Sequence, residues 1–145
     1  MPESTQALRE RSSELYQQVE PVRALADSVS TAPASELRAG LDRLDTFVST
    51  ALLTHVSALR EALGDPEDSS LAMDLAHLGT LAGEVSWLRK RLSSHDMTSG
   101  SANAVRRVLY GLYALLRVHF AKEQEIYLPL LEGRTERDPA QQEAG

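Results

Sequence analysis

The sequence contains no cysteine, so it can form no disulfide, thiolate nucleophile, zinc finger or thiolate-bound iron–sulfur cluster. Its 15 lysine and arginine residues are outnumbered by 21 acidic ones, and no basic run is long enough to follow a phosphate backbone. No stretch approaches the ~20 apolar residues of a membrane span. The segment from Met1 to Thr5 lacks the basic and apolar regions of a signal peptide. We therefore expect a cytoplasmic protein with neither nucleic acid nor a membrane as its partner.

Amphipathic helical patterns dominate the sequence, and no alternating strand pattern is visible. At 145 residues the chain has the length of one domain. A first helix is predicted from about Thr5 to Ser30, with Pro21 expected to kink it or divide it in two. A second helix follows a connector in which Ser35 is a candidate N-cap, and Gly64 is expected to end it.

The third predicted helix begins near Pro66 and continues to about Leu92, and a Ser/Gly-rich loop separates it from the fourth. The fourth helix is expected to end at Gly133, which leaves residues 134–145 as a disordered tail beyond a domain of residues 5–133. Four long helices joined by short loops predict an all-α fold, an up-down-up-down four-helix bundle.

The fourth helix carries two polar residues on a face that is otherwise apolar. The apolar positions of that face are Val105, Val108, Leu109, Leu112, Leu115, Leu116, Phe120, Ile126 and Leu130. His119 and Glu123 continue the same face and, four residues apart, stack one turn above the other. Burying such a group without a partner costs roughly 2–7 kcal/mol, so a metal ion or a hydrogen-bond network should satisfy the pair.

Two further histidines fall on or beside the apolar faces of other helices. His55 lies about nine residues before the turn between the second and third helices, and His77 lies about ten residues after it. At ~1.5 Å of rise per residue these two positions share one layer of an antiparallel bundle, and His119 reaches the same depth from the next loop. The spacing predicts that His55, His77 and His119 converge, either as metal ligands or as hydrogen-bonded core histidines.

The segment from Leu112 to Leu131, with its His119-x-x-x-Glu123 motif, resembles the last helix of hemerythrin-like (HHE cation-binding) domains. His55 and His77 follow the order of that family's ligands, and the resemblance covers roughly Leu15 to Leu131. It implies a four-helix bundle around non-haem iron, with His55, His77, His119 and Glu123 as metal ligands. Oxygen, peroxide or redox sensing would be the associated activity.

Two departures from the family pattern reduce the number of ligands. No histidine precedes His55, and Glu14 is the best candidate ligand at the matching depth of the first helix. Leu59 stands where the family's second bridging carboxylate would lie. Asp74 is the candidate that would replace this carboxylate. An acid in the first turns of a helix is, however, also favoured by the helix dipole alone.

Three functions follow as hypotheses. The first is a metal-binding protein with a reduced site holding one or two iron ions. The second is a metal-free bundle in which His119 and Glu123 pair with each other or with His55, and which acts as an interaction or ligand-binding module. Acid–base catalysis by the histidines is the third, but no nucleophile–base pair is visible, so a non-enzymatic role is favoured.

Overall fold

The computed structural model describes residues 4–64, 70–94 and 99–137, and its described residues are helical apart from short connections. The α-helices are α1 (Thr5–Tyr16), α2 (Val19–Ser28), α3 (Ala34–Thr46), α4 (Leu53–Leu63), α5 (Ser70–Ser94), α6 (Ser99–Lys122) and α7 (Leu128–Arg137). Two π-helical segments, Phe47–Leu52 and Glu123–Tyr127, join α3 to α4 and α6 to α7. The described residues thus form four long helical segments, as the sequence predicts.

The four segments pack side by side around one apolar core. Helix α2 packs on α6, α3 on α5, α4 on α5, and α1 on both α4 and α7. Two side-chain contacts join the first segment to the fourth. Asp27, late in the first segment, contacts Tyr110, whereas Arg9, early in the first segment, contacts the later residue Glu132. The first and fourth segments are therefore antiparallel. Among the described residues, no helix is both long and apolar enough to cross a membrane.

The ends of the first two segments follow from particular residues. The first segment divides at Gln17 and Gln18, and Pro21 lies in the first turn of α2, where its missing N–H costs no helical hydrogen bond. The predicted division at this proline is confirmed. Gly64 ends α4 with a φ of 63°, the left-handed conformation that a glycine adopts without a steric penalty.

Two predicted helix boundaries are wrong. Ser35 lies inside α3, because the helix already begins after Pro33, whose extended backbone forms the N-cap. Gly133 does not end the fourth segment, since α7 continues to Arg137. A glycine ends a helix when its backbone turns left-handed, and Gly133 keeps a negative φ. Residues 134–137 of the predicted disordered tail are therefore helical, and residues 138–145 lie outside the described residues.

The π-helical segment Glu123–Tyr127 changes which residues of the fourth segment face the core. A π turn takes more residues than an α turn, so each residue after it is rotated relative to a continuous α-helix. Ile126 and Leu130, predicted to be buried, are 49% and 48% exposed. Tyr127 and Leu128 are buried in their place.

Two glycines give a test of these helix assignments. Gly111 is exposed in the interior of α6, and a Cβ added there would meet nothing within 4 Å. We expect Gly111→Ala to raise the free energy of unfolding by about 0.5–1 kcal/mol, because alanine loses less backbone entropy in a helix. Urea denaturation measures the change.

Gly64→Ala is the opposite case, since its φ of 63° strains any residue with a Cβ. We expect this variant to be less stable by about 1 kcal/mol. Equal effects of the two substitutions would contradict the assigned end of α4.

Candidate functional site

Glu123 is fully buried at the start of the second π-helical segment, and a histidine from another segment contacts it. His55, in α4, is also fully buried, and its Nε2 lies 2.7 Å from Oε1 of Glu123. The two residues are 68 positions apart in the sequence. This contact therefore links the second helical segment to the fourth through the core.

His119 contacts the other oxygen of the same carboxylate. It lies on α6, four residues before Glu123, and its Nε2 contacts Oε2 of Glu123. Its Nδ1 lies 3.4 Å from Oδ2 of Asp74, a buried residue of α5. The Nζ atom of Lys122 lies 3.2 Å from the other oxygen of Asp74. The imidazole of His119 thus has a carboxylate on each side.

Arg11, on α1, completes the cluster. Its Nε–H donates a hydrogen bond of 3.0 Å to Nδ1 of His55. Because Nδ1 accepts this bond, neutral His55 carries its proton on Nε2 and donates it to Glu123. We call the six residues the buried network: Arg11, His55, Asp74, His119, Lys122 and Glu123.

The electrostatics of the network keep Glu123 ionised. Burial raises the pKa of its carboxyl group, because the charged form loses its hydration. The contacts with His119 and then His55 lower the pKa by more, so that it falls from 4.5 to about 2. Glu123 is therefore a carboxylate throughout the physiological pH range, although it lies in the core.

The structure brings together three of the four predicted metal ligands. His55, His119 and Glu123 are fully buried and in contact, and the additional candidate Asp74 lies beside them. His77 was predicted to face inward, but it is exposed, because its position at the edge of the apolar face of α5 turns it towards solvent. It does not join the network.

Glu14, the predicted ligand from the first helix, is also exposed. Arg11 takes part in its place, three residues after the buried Leu8 and four before the buried Leu15. That spacing on the inward face could have identified Arg11 from the sequence. Arg11 is not predicted as a ligand, because a guanidinium does not bind a metal ion.

The network as arranged does not fit a metal ion. A metal-binding imidazole coordinates through an unprotonated nitrogen, and Nε2 of His55 carries the proton that Glu123 accepts. Partners of a coordinating histidine normally accept a hydrogen bond from its other nitrogen, whereas Arg11 donates one. Within residues 4–64, 70–94 and 99–137, no group of three or more histidine or acidic side chains is arranged to hold a metal.

A cleft between α2 and α3 is a second feature. Its inner part is a cavity of about 130 Å³ with mostly apolar walls. The cavity is lined by Gln18, Pro21, Val22, Leu25, Gly40, Arg43, Leu44 and Phe47. Arg43 also lines the wider groove outside it, together with Glu20 and Glu36. A Cβ added at Gly40 would lie 2.6 Å from a methyl group of Leu25, so the two helices come close at this point.

Comparison with known proteins found no matching family model, no matching curated protein and no matching solved structure. The resemblance to hemerythrin-like domains therefore continues to depend on the sequence motif around His119 and Glu123.

The low pKa of Glu123 predicts how the stability of the fold depends on pH. Because the folded pKa is below the unfolded value, the ionised carboxylate contributes stability above about pH 4.5, and this contribution is lost as the pH falls towards 2. We expect Glu123→Gln to lower the free energy of unfolding by about 1–3 kcal/mol at pH 7. The difference from the unsubstituted protein should shrink between pH 5 and pH 2, as urea denaturation at each pH would measure.

Glu125→Gln is the matched control, since Glu125 lies two residues along the same segment and is exposed. Its effect should stay within about 0.5 kcal/mol at every pH. A stability loss for Glu123→Gln that is the same at pH 7 and pH 3 would contradict the assigned ionisation.

Proposed function

We propose that the chain is a metal-free four-helix bundle of the hemerythrin-like type that acts as a ligand-binding module. The hydrogen bond from Arg11 to His55 carries this proposal, because it places the imidazole proton on the nitrogen that a metal would need. The up-down-up-down connectivity and the cytoplasmic location predicted from the sequence are parts of the same proposal. It assigns no catalytic residue.

The antiparallel contacts of neighbouring segments support the proposed connectivity. Arg38 of α3 donates to the carbonyl of Leu92 near the end of α5, whereas Arg89, one turn earlier, pairs with Asp45. Residue numbers therefore rise along α3 as they fall along α5. The fourth segment runs antiparallel to α5 in the same way, since His119 contacts Asp74 while Tyr127, further along the fourth segment, contacts the earlier residue Ser70.

The buried network links the helical segments in the way that a metal centre would. Arg11 belongs to the first segment, His55 to the second, Asp74 to the third and Glu123 to the fourth. Charged groups are costly to bury, and here each carboxylate is paired with nitrogen donors from other segments. Such pairing fixes the relative positions of the helices without an ion.

The cleft between α2 and α3 supports the ligand-binding part of the proposal. The side chain of Arg43 at its mouth makes no hydrogen bond or ion pair with any residue that the structure describes. An apolar cavity of 150 Å³ can hold a molecule as large as benzene, and this one measures about 130 Å³. A cavity of this size with a guanidinium at its edge suits a small carboxylic acid with an apolar tail.

Metal binding with a reduced site is the second candidate, and one observation favours it. His119 Nε2 and Glu123 Oε2 are buried in contact, yet neither has an aligned hydrogen bond in the described part of the chain. Iron bound there, with oxygen or peroxide as its further ligand, would be held by His119 and Glu123, with Asp74 nearby. Catalytic metal sites usually have three protein ligands, and His55 is not available as the third.

The metal content of the protein decides between the two candidates. We expect less than about 0.2 metal ions per chain after growth with iron and purification without an affinity tag. A chelator should leave the melting temperature unchanged, because no stabilising ion is removed. A stoichiometric metal that is lost in His119→Ala would favour the second candidate instead.

The ligand-binding cleft can be tested with hexanoate. We expect titration of this acid to shift NMR amide signals of α2 and α3, and Arg43→Gln to weaken binding about tenfold, which corresponds to ~1.4 kcal/mol. Hexanol has a similar tail without the charge, so it should bind weakly and with equal affinity to the unsubstituted protein and to Arg43→Gln.

Arg9→Gln serves as the control, because Arg9 is paired with Glu132 and lines neither part of the cleft. It should bind hexanoate as the unsubstituted protein does. If Arg43→Gln left the affinity unchanged, the carboxylate would not be recognised at this cleft.

A further inference from the structure

We infer that Arg11 is the residue that keeps the buried network free of metal, and that its removal turns the same side chains into a divalent-cation site. This inference is based on the proposed metal-free function and gives the reason why the network binds no metal. The side chains that would bind the cation already lie together, since His55, His119 and Glu123 are buried and in contact, with Asp74 adjoining them.

The first step concerns the tautomer of His55. For Nε2 to bind a metal, the ring proton must move to Nδ1, and Nδ1 must then face a hydrogen-bond acceptor or solvent. In the structure it faces Nε of Arg11 at 3.0 Å. A guanidinium has only N–H donors and does not lose its proton in proteins. While Arg11 is present, Nδ1 of His55 therefore cannot become the protonated nitrogen, and Nε2 cannot become free to bind a metal.

The second step concerns charge. Arg11 places a permanent positive charge against the imidazole that would coordinate the ion. Lys122 places a second one 3.2 Å from an oxygen of Asp74. Both cations repel a divalent ion, and repulsion is strong in a core that water does not screen. Lys122 is half-buried and contacts Asp74, whereas Arg11 contacts the imidazole of His55 itself, so Arg11 has the larger effect.

Glutamine at position 11 would remove both obstacles. Its side chain carries no charge, and its carbonyl oxygen can accept a hydrogen bond from a protonated Nδ1. That is the partner a coordinating histidine normally has. Lysine at the same position would keep a positive donor, so Arg11→Lys separates the effect of the donor and charge from that of a changed packing volume.

The test is a titration of the apo-proteins with Co²⁺, followed by its visible absorption. We expect Arg11→Gln to bind Co²⁺ at least about tenfold more tightly than the unsubstituted protein, a difference of ~1.4 kcal/mol. Arg11→Lys should bind as weakly as the unsubstituted protein. The gain should disappear when His55→Ala is added to Arg11→Gln, and Arg9→Gln, on the same helix, should produce none.

A second measurement does not depend on any variant folding. The ¹⁵N signals of His55 in the unsubstituted protein should show a protonated Nε2 and an unprotonated Nδ1. The opposite tautomer would overturn the inference, as would equal Co²⁺ affinities of Arg11→Gln and the unsubstituted protein. If instead the unsubstituted protein bound Co²⁺ tightly through His55, the proposed metal-free function itself would fail.

Discussion

The carboxylate of Glu123 is the group on which the arrangement of this core depends. It is fully buried and ionised, and a buried charge without partners costs far more than one hydrogen bond returns. His55 and His119 contact one oxygen each. Each histidine has a further partner from yet another helical segment, Arg11 or Asp74. One buried charge thereby specifies the relative positions of four segments.

The two π-helical segments are part of the same constraint. One ends three residues before His55, and the other begins at Glu123. Each rotates the helix that follows it, and π-helical turns are common where a helix must aim a side chain at a functional position. In the fourth segment this rotation exposes apolar surface: Glu123 faces the core, and Ile126 and Leu130, which follow it, turn towards solvent.

Helical periodicity was sufficient to predict four helical segments, the division near Pro21 and the left-handed end at Gly64. It also placed His119 and Glu123 on one buried face, since only local spacing was needed for that. His77 was not predictable in this way, because a residue at the edge of an apolar face can turn either inward or outward. The exposed positions of Ile126 and Leu130 follow from a π turn that leaves no signal in the periodicity.

The participation of Arg11 was missed for a chemical reason. Depth along the helices predicts that the part of the first segment containing Arg11 and Glu14 lies at the level of the network, and a metal site would favour the carboxylate of Glu14. The structure has the cation instead, and Glu14 lies in solvent. The spacing of buried positions in α1 indicates Arg11, whereas the chemistry of a metal site favours Glu14, which is exposed.

The charges of the network explain why a cation suits this position. Glu123 and Asp74 contribute two negative charges, and Arg11 and Lys122 contribute two positive ones, so the fixed charges cancel without an ion. A divalent metal added to this set would leave two uncompensated positive charges in a region of low dielectric constant, where such an excess is strongly unfavourable. A core that binds iron through the same carboxylates would need those cations removed. With Arg11 and Lys122 in place, the network therefore has no net negative charge for a metal ion to balance.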